Sequence, residues 1–437
     1  VNDSPKKVLI VSDSPYIQTG FANVGRHIGD RLYRTGNYDV HYQGWFHKRE
    51  ANKNYKIPYP VYTTTTYKTK TWTYAHKMDH GDVCVRADAY GHHTFDKIIE
   101  TLQPDIVISV GDVWMIQHIA DCKYRQTFTW IAYPPIDGSP YPRVIKNEGQ
   151  MVNVKKTFRN VDILVAFGRY GQQEINRLCD KAVCKNYIHH GVESNVFKPL
   201  GAEFKLNAKP QVFNVPPNTF LIGQVSRNQP RKCPNLAMRG IKMFIDRCKP
   251  KRPVKYYFHG AINDTTGWDL PDLVKQLGME NHVILNKNLD VGMGSSDEDL
   301  NKYYNMMDIH MLPTIGEGWG LPILESMSAG VPNITTRVSA HPEFCECGSV
   351  LVDIPDNRML EEVKTNIRRG YADPEDIANA LEKLYNDPDL RDDLGKKGRE
   401  KAEELDWENI CDQWEELISF VPDRPTQTKE SIHEVWL

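Results

Sequence analysis

The 437 residues contain no uninterrupted apolar run near the roughly 20 that a membrane span requires; the longest candidates, such as Ile106–Val110, have the length of a buried strand. Charge of one sign is lacking too. Lys and Arg number 54 against 57 Asp and Glu, a net charge of −3, which excludes a histone-like or polybasic protein but leaves room for a local basic surface. The nine cysteines form no framework: they are scattered, only Cys345 and Cys347 sit close together, and neither zinc nor disulfide spacing is present. A reducing, cytoplasmic setting is expected from that usage. Val1 to Lys7 run directly into an apolar strand without the apolar stretch of a signal peptide. Metal-ligand spacing is likewise missing. His76 and His80 are four apart in a segment without helical periodicity, His92–His93 and His189–His190 are adjacent pairs that face one ion poorly, and Asp387-Pro388-Asp389 reads as turn chemistry between helices. What is present is ordinary globular composition, 40% hydrophobic and 25% charged, with chain enough for about two or three domains.

Short β-branched runs alternate with helical stretches in the first half. Lys7–Ser12, Tyr38–Gly44, Asp105–Gly111, Thr127–Ala132, Ile163–Ala166 and Asn186–His189 read as strands, with helices at about Asn23–Thr35 and Thr94–Leu102. Continuous apolar strands between helices imply a parallel sheet covered on both faces. Pro199–Pro217 breaks the pattern and reads as a linker. A second series follows, with strands expected at Phe220–Val225, Val254–His259, His282–Asn286, Ile309–Pro313 and Asn333–Thr336. The predicted fold is therefore α/β, two doubly wound Rossmann-like domains facing a cleft: residues 1–200, a linker over 201–217, a second domain over 218–405, and 406–437 beyond it.

Glu317-Gly318-Trp319-Gly320-Leu321-Pro322-Ile323-Leu324-Glu325 is the most informative stretch. It leaves a predicted strand and opens a helix. Gly318 and Gly320 permit a tight turn and close approach to a ligand, Pro322 suits the first helical turn, and the helix start offers N–H groups to phosphate. Two carboxylates eight positions apart bracket the turn and can accept bonds from sugar hydroxyls. Arg227-Asn228-Gln229-Pro230-Arg231-Lys232 leaves the same domain's first strand, so Arg227 and Lys232 share that wall and suit a pyrophosphate leaving group.

These residues resemble the retaining glycosyltransferases of family 4, which have the GT-B fold. Glu317 and Glu325 match the family's glutamate pair, Arg227 and Lys232 its Arg and Lys, Ile188–Pro199 its segment at the domain junction, and Asp387–Arg391 and Gly395–Lys401 its late helices. The resemblance implies that Arg227 and Lys232 bind the donor diphosphate, Glu317 contacts the donor sugar and Glu325 holds the ribose, with Asn228, Gly318, Gly320 and Leu321 in the same donor site. It also implies retention at the anomeric carbon and a last helix, about Trp407–Phe420, that returns to the first domain. The extra Asn and Arg of 227–232 look closest to enzymes of large DNA viruses and phages.

In the first domain, Thr19-Gly20-Phe21-Ala22-Asn23 has the place of a phosphate-approaching turn without a full GxGxxG. By resemblance Gly20 nears the donor phosphates. Asp112, Tyr133 and Asp137 follow predicted strands and are expected to face an acceptor, with helix capping the competing role for Asp112. Residues 47–77 hold seven Lys or Arg, one acidic residue and six Tyr or Trp, a pattern that fits an exposed hairpin and also a nucleic-acid surface. The expected activity is transfer of a hexose or related sugar from a UDP- or GDP-sugar to a glycan, protein, lipid or modified DNA base. No cofactor or metal is called for, because two cations already face the diphosphate. The alternatives are a DNA-binding or DNA-modifying protein, a non-catalytic nucleotide-sugar binder, and phosphorylase-like or epimerase-like use of the fold.

Overall fold

The computed structural model describes residues 5–47, 56–65, 90–147, 150–180, 183–289, 294–362 and 365–422. Most of the basic aromatic segment and the tail after residue 422 lie outside them.

The first domain is built on β1 (Lys6–Asp13), β2 (Tyr38–His47), β3 (Val61–Thr65), β4 (Ile106–Val110), β5 (Thr129–Tyr133), β8 (Ile163–Ala166) and β9 (Asn186–Tyr187), with a side hairpin of β6 (Val144–Asn147) and β7 (Gln150–Asn153). The seven main strands are parallel in the order β3-β2-β1-β4-β5-β8-β9. β4 and β5 are buried along their whole length, as strands covered by helices on both faces must be. The helix Gly20–Thr35 between β1 and β2 starts at Thr19, whose hydroxyl accepts from the Ala22 N–H, and stops at Gly36 with φ of 71°.

The second domain repeats the plan with β10 (Phe220–Val225), β11 (Val254–His259), β12 (Val283–Leu285), β13 (Ile309–Leu312), β14 (Asn333–Thr336) and β15 (Ser349–Val352), parallel in the order β12-β11-β10-β13-β14-β15. A small antiparallel hairpin, β16 (Met359–Glu361) with β17 (Arg368–Gly370), stands apart from that sheet. The strand order reverses between β1 and β4 in one sheet and between β10 and β13 in the other. Each reversal opens a crevice at the strand carboxyl ends, where ligands of such sheets bind.

Pro199–Pro217 is not an irregular linker: Gly201–Phe213 is a helix. Its apolar residues do not gather on one face, Leu206 and Val212 point to solvent, and Pro210 lies inside it, so no helical signature shows in the sequence. Lys209 anchors it, donating to the Thr219 carbonyl at 2.9 Å and to Asp308 at 2.6 Å. At the other crossing, the Val192 N–H donates to the Leu405 carbonyl and the Trp407 N–H to the Val192 carbonyl. The helix Trp407–Ser419 then lies on the first domain. Arg31 pairs with Glu408 and Asp412, and Trp414 packs edge-on against Tyr133 at 4.9 Å.

Candidate functional site

The second-domain wall rises from the ends of β10 and β13. After β10 the chain makes a short 3-10 turn at Pro230–Lys232 and enters the helix Pro234–Cys248. After β13 it loops through Thr314–Gly320 and enters the helix Leu321–Ser328, with Pro322 in its first turn. These two loops bring Glu317 between two cations. Its Oε1 receives Lys232 Nζ at 2.5 Å and the Thr314 hydroxyl at 3.0 Å, and its Oε2 lies 2.8 Å from Arg231 Nη1. Burial alone would raise the Glu317 carboxyl, but Arg231 and Lys232 overcome it and hold the group well below the usual carboxylate range. Burial and the neighbouring Arg231 push Lys232 down to about 8, with Glu317 acting against them. Glu317 is thus held by cations on both oxygens, and Arg231 belongs to the wall as much as Lys232 does. The cue for Arg231 was its place beside Lys232.

Arg227 is pinned through Nε to Asp264 Oδ2 at 2.6 Å, and half of its side chain remains exposed. Asn228, expected at the donor, is instead fully buried: its amide donates to the Trp268 carbonyl at 2.8 Å and accepts from the Trp268 N–H at 3.1 Å. Both ends of the amide are used in fastening the 264–268 loop.

Gly318 is also reassigned. A Cβ there would lie 2.9 Å from the Pro135 side chain and 3.2 Å from Phe167, so the missing side chain admits the first domain rather than a ligand. Gly320 does serve the turn, with φ of +120° and His341 Nε2 only 3.0 Å from where its Cβ would be. Gly20 faces Leu321, whose Cδ1 is 3.8 Å from the position of an added Cβ. Glu325 takes a hydrogen bond from the Tyr304 hydroxyl at 2.8 Å. Burial raises its carboxyl to about 7, and it looks into a small cavity with Asn23, His27, Glu193 and Trp407.

The first-domain wall is acidic. Asp112 follows β4 and occupies the cap position of the helix Val113–Ile116, yet makes no capping bond. Burial, with Asp137 and Asp13 adding to it and Arg231 opposing, raises its carboxyl to about 8. Asp137 is a joint between the domains: its carboxylate and its carbonyl both receive Arg369 of β17, at 3.1 and 2.5 Å, and Ser339 donates to the same carbonyl at 2.9 Å. No sequence cue marked Arg369. Tyr133 is not in the site. It is fully buried, its phenol donates to the Ile188 carbonyl, and its ring sits between Phe167 and Trp414. As the last residue of β5 it points to the sheet face that the returning helix covers, not along the strand. Asp13, at the end of β1, was also missed; it stands near Asp112 and Arg227.

The wall that carries Arg227, Lys232, Glu317 and Glu325 lies within the stretch of the chain that is similar to a known family. Residues 207–401 match the glycosyl transferases group 1 model. The D-inositol 3-phosphate glycosyltransferase of Corynebacterium jeikeium is 24% identical over 279 residues, 63% of this chain and 61% of that protein. A sulfoquinovosyl transferase of Arabidopsis thaliana is 31% identical over 25% of this chain and 19% of its own. The chain spans 46% to 61% of the length of three D-inositol 3-phosphate glycosyltransferases that it resembles. Among solved structures, sucrose-phosphate synthase of Thermosynechococcus elongatus superposes with a TM-score of 0.70 at 18% identity, over 95% of this chain and 98% of that one. HepE of Anabaena, solved with UDP, gives 0.64 at 15% identity over 95% and 100%. At these identities the structural likeness establishes the fold, GT-B, two Rossmann-like domains across a cleft.

Proposed function

We propose that the chain transfers a sugar from a nucleotide diphosphate sugar to a hydroxyl acceptor, with retention at the anomeric carbon. The observation that supports this reading most is the union of Arg231, Lys232 and Glu317 above the β10/β13 crevice, with Arg227 on the same wall and Glu325 one turn into the adjoining helix. Lys232, at about 8, is a cation at neutral pH and stabilises the charge that develops on a departing diphosphate. Arg227, half exposed, supplies a second cation beside the buried Lys232, and with two such groups the transfer needs no divalent metal. Glu325 holds the ribose hydroxyls. Opposite, Asp112 and Asp137 lie near the acceptor, and closure of the domains keeps water from the donor.

The UDP bound by a structural neighbour supports a UDP-sugar, with a GDP-sugar the second choice. Likeness to viral and phage enzymes rests on Arg227–Lys232, a stretch in which Asn228 and Arg231 serve the fold and the charge network. The DNA-binding alternative falls largely on residues outside the described ones.

Thermal stabilisation by nucleotides tests the reading. A ligand raises the melting temperature in step with RT ln(1 + [L]/Kd). UDP or GDP is expected to stabilise the protein equally with magnesium or with a chelator, and Glu325→Ala to weaken that shift. No shift from either nucleotide at millimolar concentration would sink the donor-site assignment.

A further inference from the structure

One oxygen on the first-domain wall has no assigned partner. Asp13 ends β1 at the mouth of the β1/β4 crevice and is only 6% exposed. Its Oδ2 receives the Thr19 hydroxyl at 2.5 Å. Thr19 is itself fixed, because the same hydroxyl caps the helix Gly20–Thr35 by accepting from the Ala22 N–H at 3.2 Å. The carboxyl therefore cannot turn freely. Its Oδ1 is buried and makes no hydrogen bond. Leaving such an atom unpaired costs about 1–3 kcal/mol, more where it is charged. A cost of that kind persists at a functional site when a ligand removes it.

We propose that Asp13 is a substrate-binding residue whose Oδ1 receives a hydroxyl of an uncharged sugar or polyol acceptor. The inference rests on the glycosyltransferase reading above and adds the acceptor class to it. The wall around Asp13 favours a hydroxyl donor over an anion. Asp112 stands near Asp13, with Asp137 near Asp112 in turn, and the cations around them are Arg227, Arg231 and Arg369 of the other domain and Arg26 of the first. Each is engaged: Arg231 is held by Glu317, Arg369 by Asp137 and Arg227 through its Nε by Asp264, while Arg26 donates to the Pro15 carbonyl. A phosphorylated acceptor placed against this wall would meet carboxyls, and the cations described near them already hold other groups. A hydroxyl donates one proton to Oδ1 and keeps its own lone pairs for the sugar carbon it attacks.

The test compares the wild-type protein with Asp13→Asn and Asp13→Ala. Thermal shift by UDP and GDP reports donor binding and folding. Release of nucleotide from UDP-glucose or GDP-mannose is then followed with glucose, myo-inositol or glucose 6-phosphate as the acceptor probe. The expected result is stimulation by an uncharged probe exceeding that by glucose 6-phosphate. Both variants should keep the nucleotide shift while acceptor kcat/KM falls about tenfold, mostly through KM, with Ala the more damaging. Equal stimulation in the wild type and both variants overturns the proposal, as does a preference for glucose 6-phosphate. A nucleotide shift with no response to any probe overturns the acceptor inference alone. Absence of any nucleotide shift overturns the donor reading and the inference with it.

Discussion

At the scale of single residues, charge pairing under burial governs the site. Glu317 holds Arg231 and Lys232 together, with Glu317 and Lys232 buried and Arg231 partly exposed, and removing Glu317 leaves a buried lysine uncompensated. Glu317→Ala is therefore expected to destabilise the protein by about 3 kcal/mol, read from urea titration, besides abolishing transfer. Asp112 behaves in the opposite sense. Its carboxyl is raised by burial and by Asp137 and Asp13 to about 8, so folding favours the protonated form. Stability from that preference is full below the unfolded value near 4 and is lost as pH rises towards 8. Asp112→Asn should melt above the wild type at pH 8, with the gap closing towards pH 4; a constant gap across that range would contradict the assignment.

Elements matter here through what they carry across the cleft. The β16–β17 hairpin is short and half-exposed, yet it delivers Arg369 to Asp137 and pairs the Arg368 N–H with the Ser139 carbonyl at 3.1 Å. Arg369→Ala removes both side-chain bonds to Asp137. Backbone amides from Gly138 to Tyr141 should then exchange hydrogen faster, while those of β10 and β13 keep their rates. The helix Gly20–Thr35 likewise serves two ends: Thr19 caps it and orients Asp13, and Asn23 and His27 face Glu325 across the small cavity. Thr19→Val should cost about 1 kcal/mol for the lost cap and also free the Asp13 carboxyl.

For the whole molecule, the two domains are joined by more than the chain crossing at Pro199. Trp319 stacks between His189 of the first domain and Phe344 of the second at 4.6 and 4.4 Å, and Glu343 accepts from the Arg169 N–H at 2.7 Å, so a second-domain carboxylate caps a first-domain helix. The helix Trp407–Ser419 completes the first domain from the far end of the sequence, and Trp414 is fully buried there. Trp414→Ala is expected to cost about 3–5 kcal/mol. Limited proteolysis should then cut at the returning helix before either sheet is attacked.

The inner strands of both sheets, though not the edge strands β3 and β15, were legible in the sequence, as were the strand ends that form the cleft and the Glu317–Glu325 turn. Each depends on chemistry between chain neighbours: continuous apolar runs, a glycine where φ is positive, a proline in a first helical turn. The helix Gly201–Phe213 was not legible, because its apolar residues share no face and a proline interrupts it. Which strand-end residues enter the site was decided by tertiary structure alone. Tyr133 turned into the core because a helix more than 270 residues later covers that face, and Asn228 was drawn to Trp268, 40 residues on. Asp137 met Arg369 across 232 residues. Pairings at such separations leave no local period to read; they arise only when two sheets pack, and packing then selects which carboxyl is neutralised, which is capped, and which, as at Asp13, keeps one oxygen without a partner.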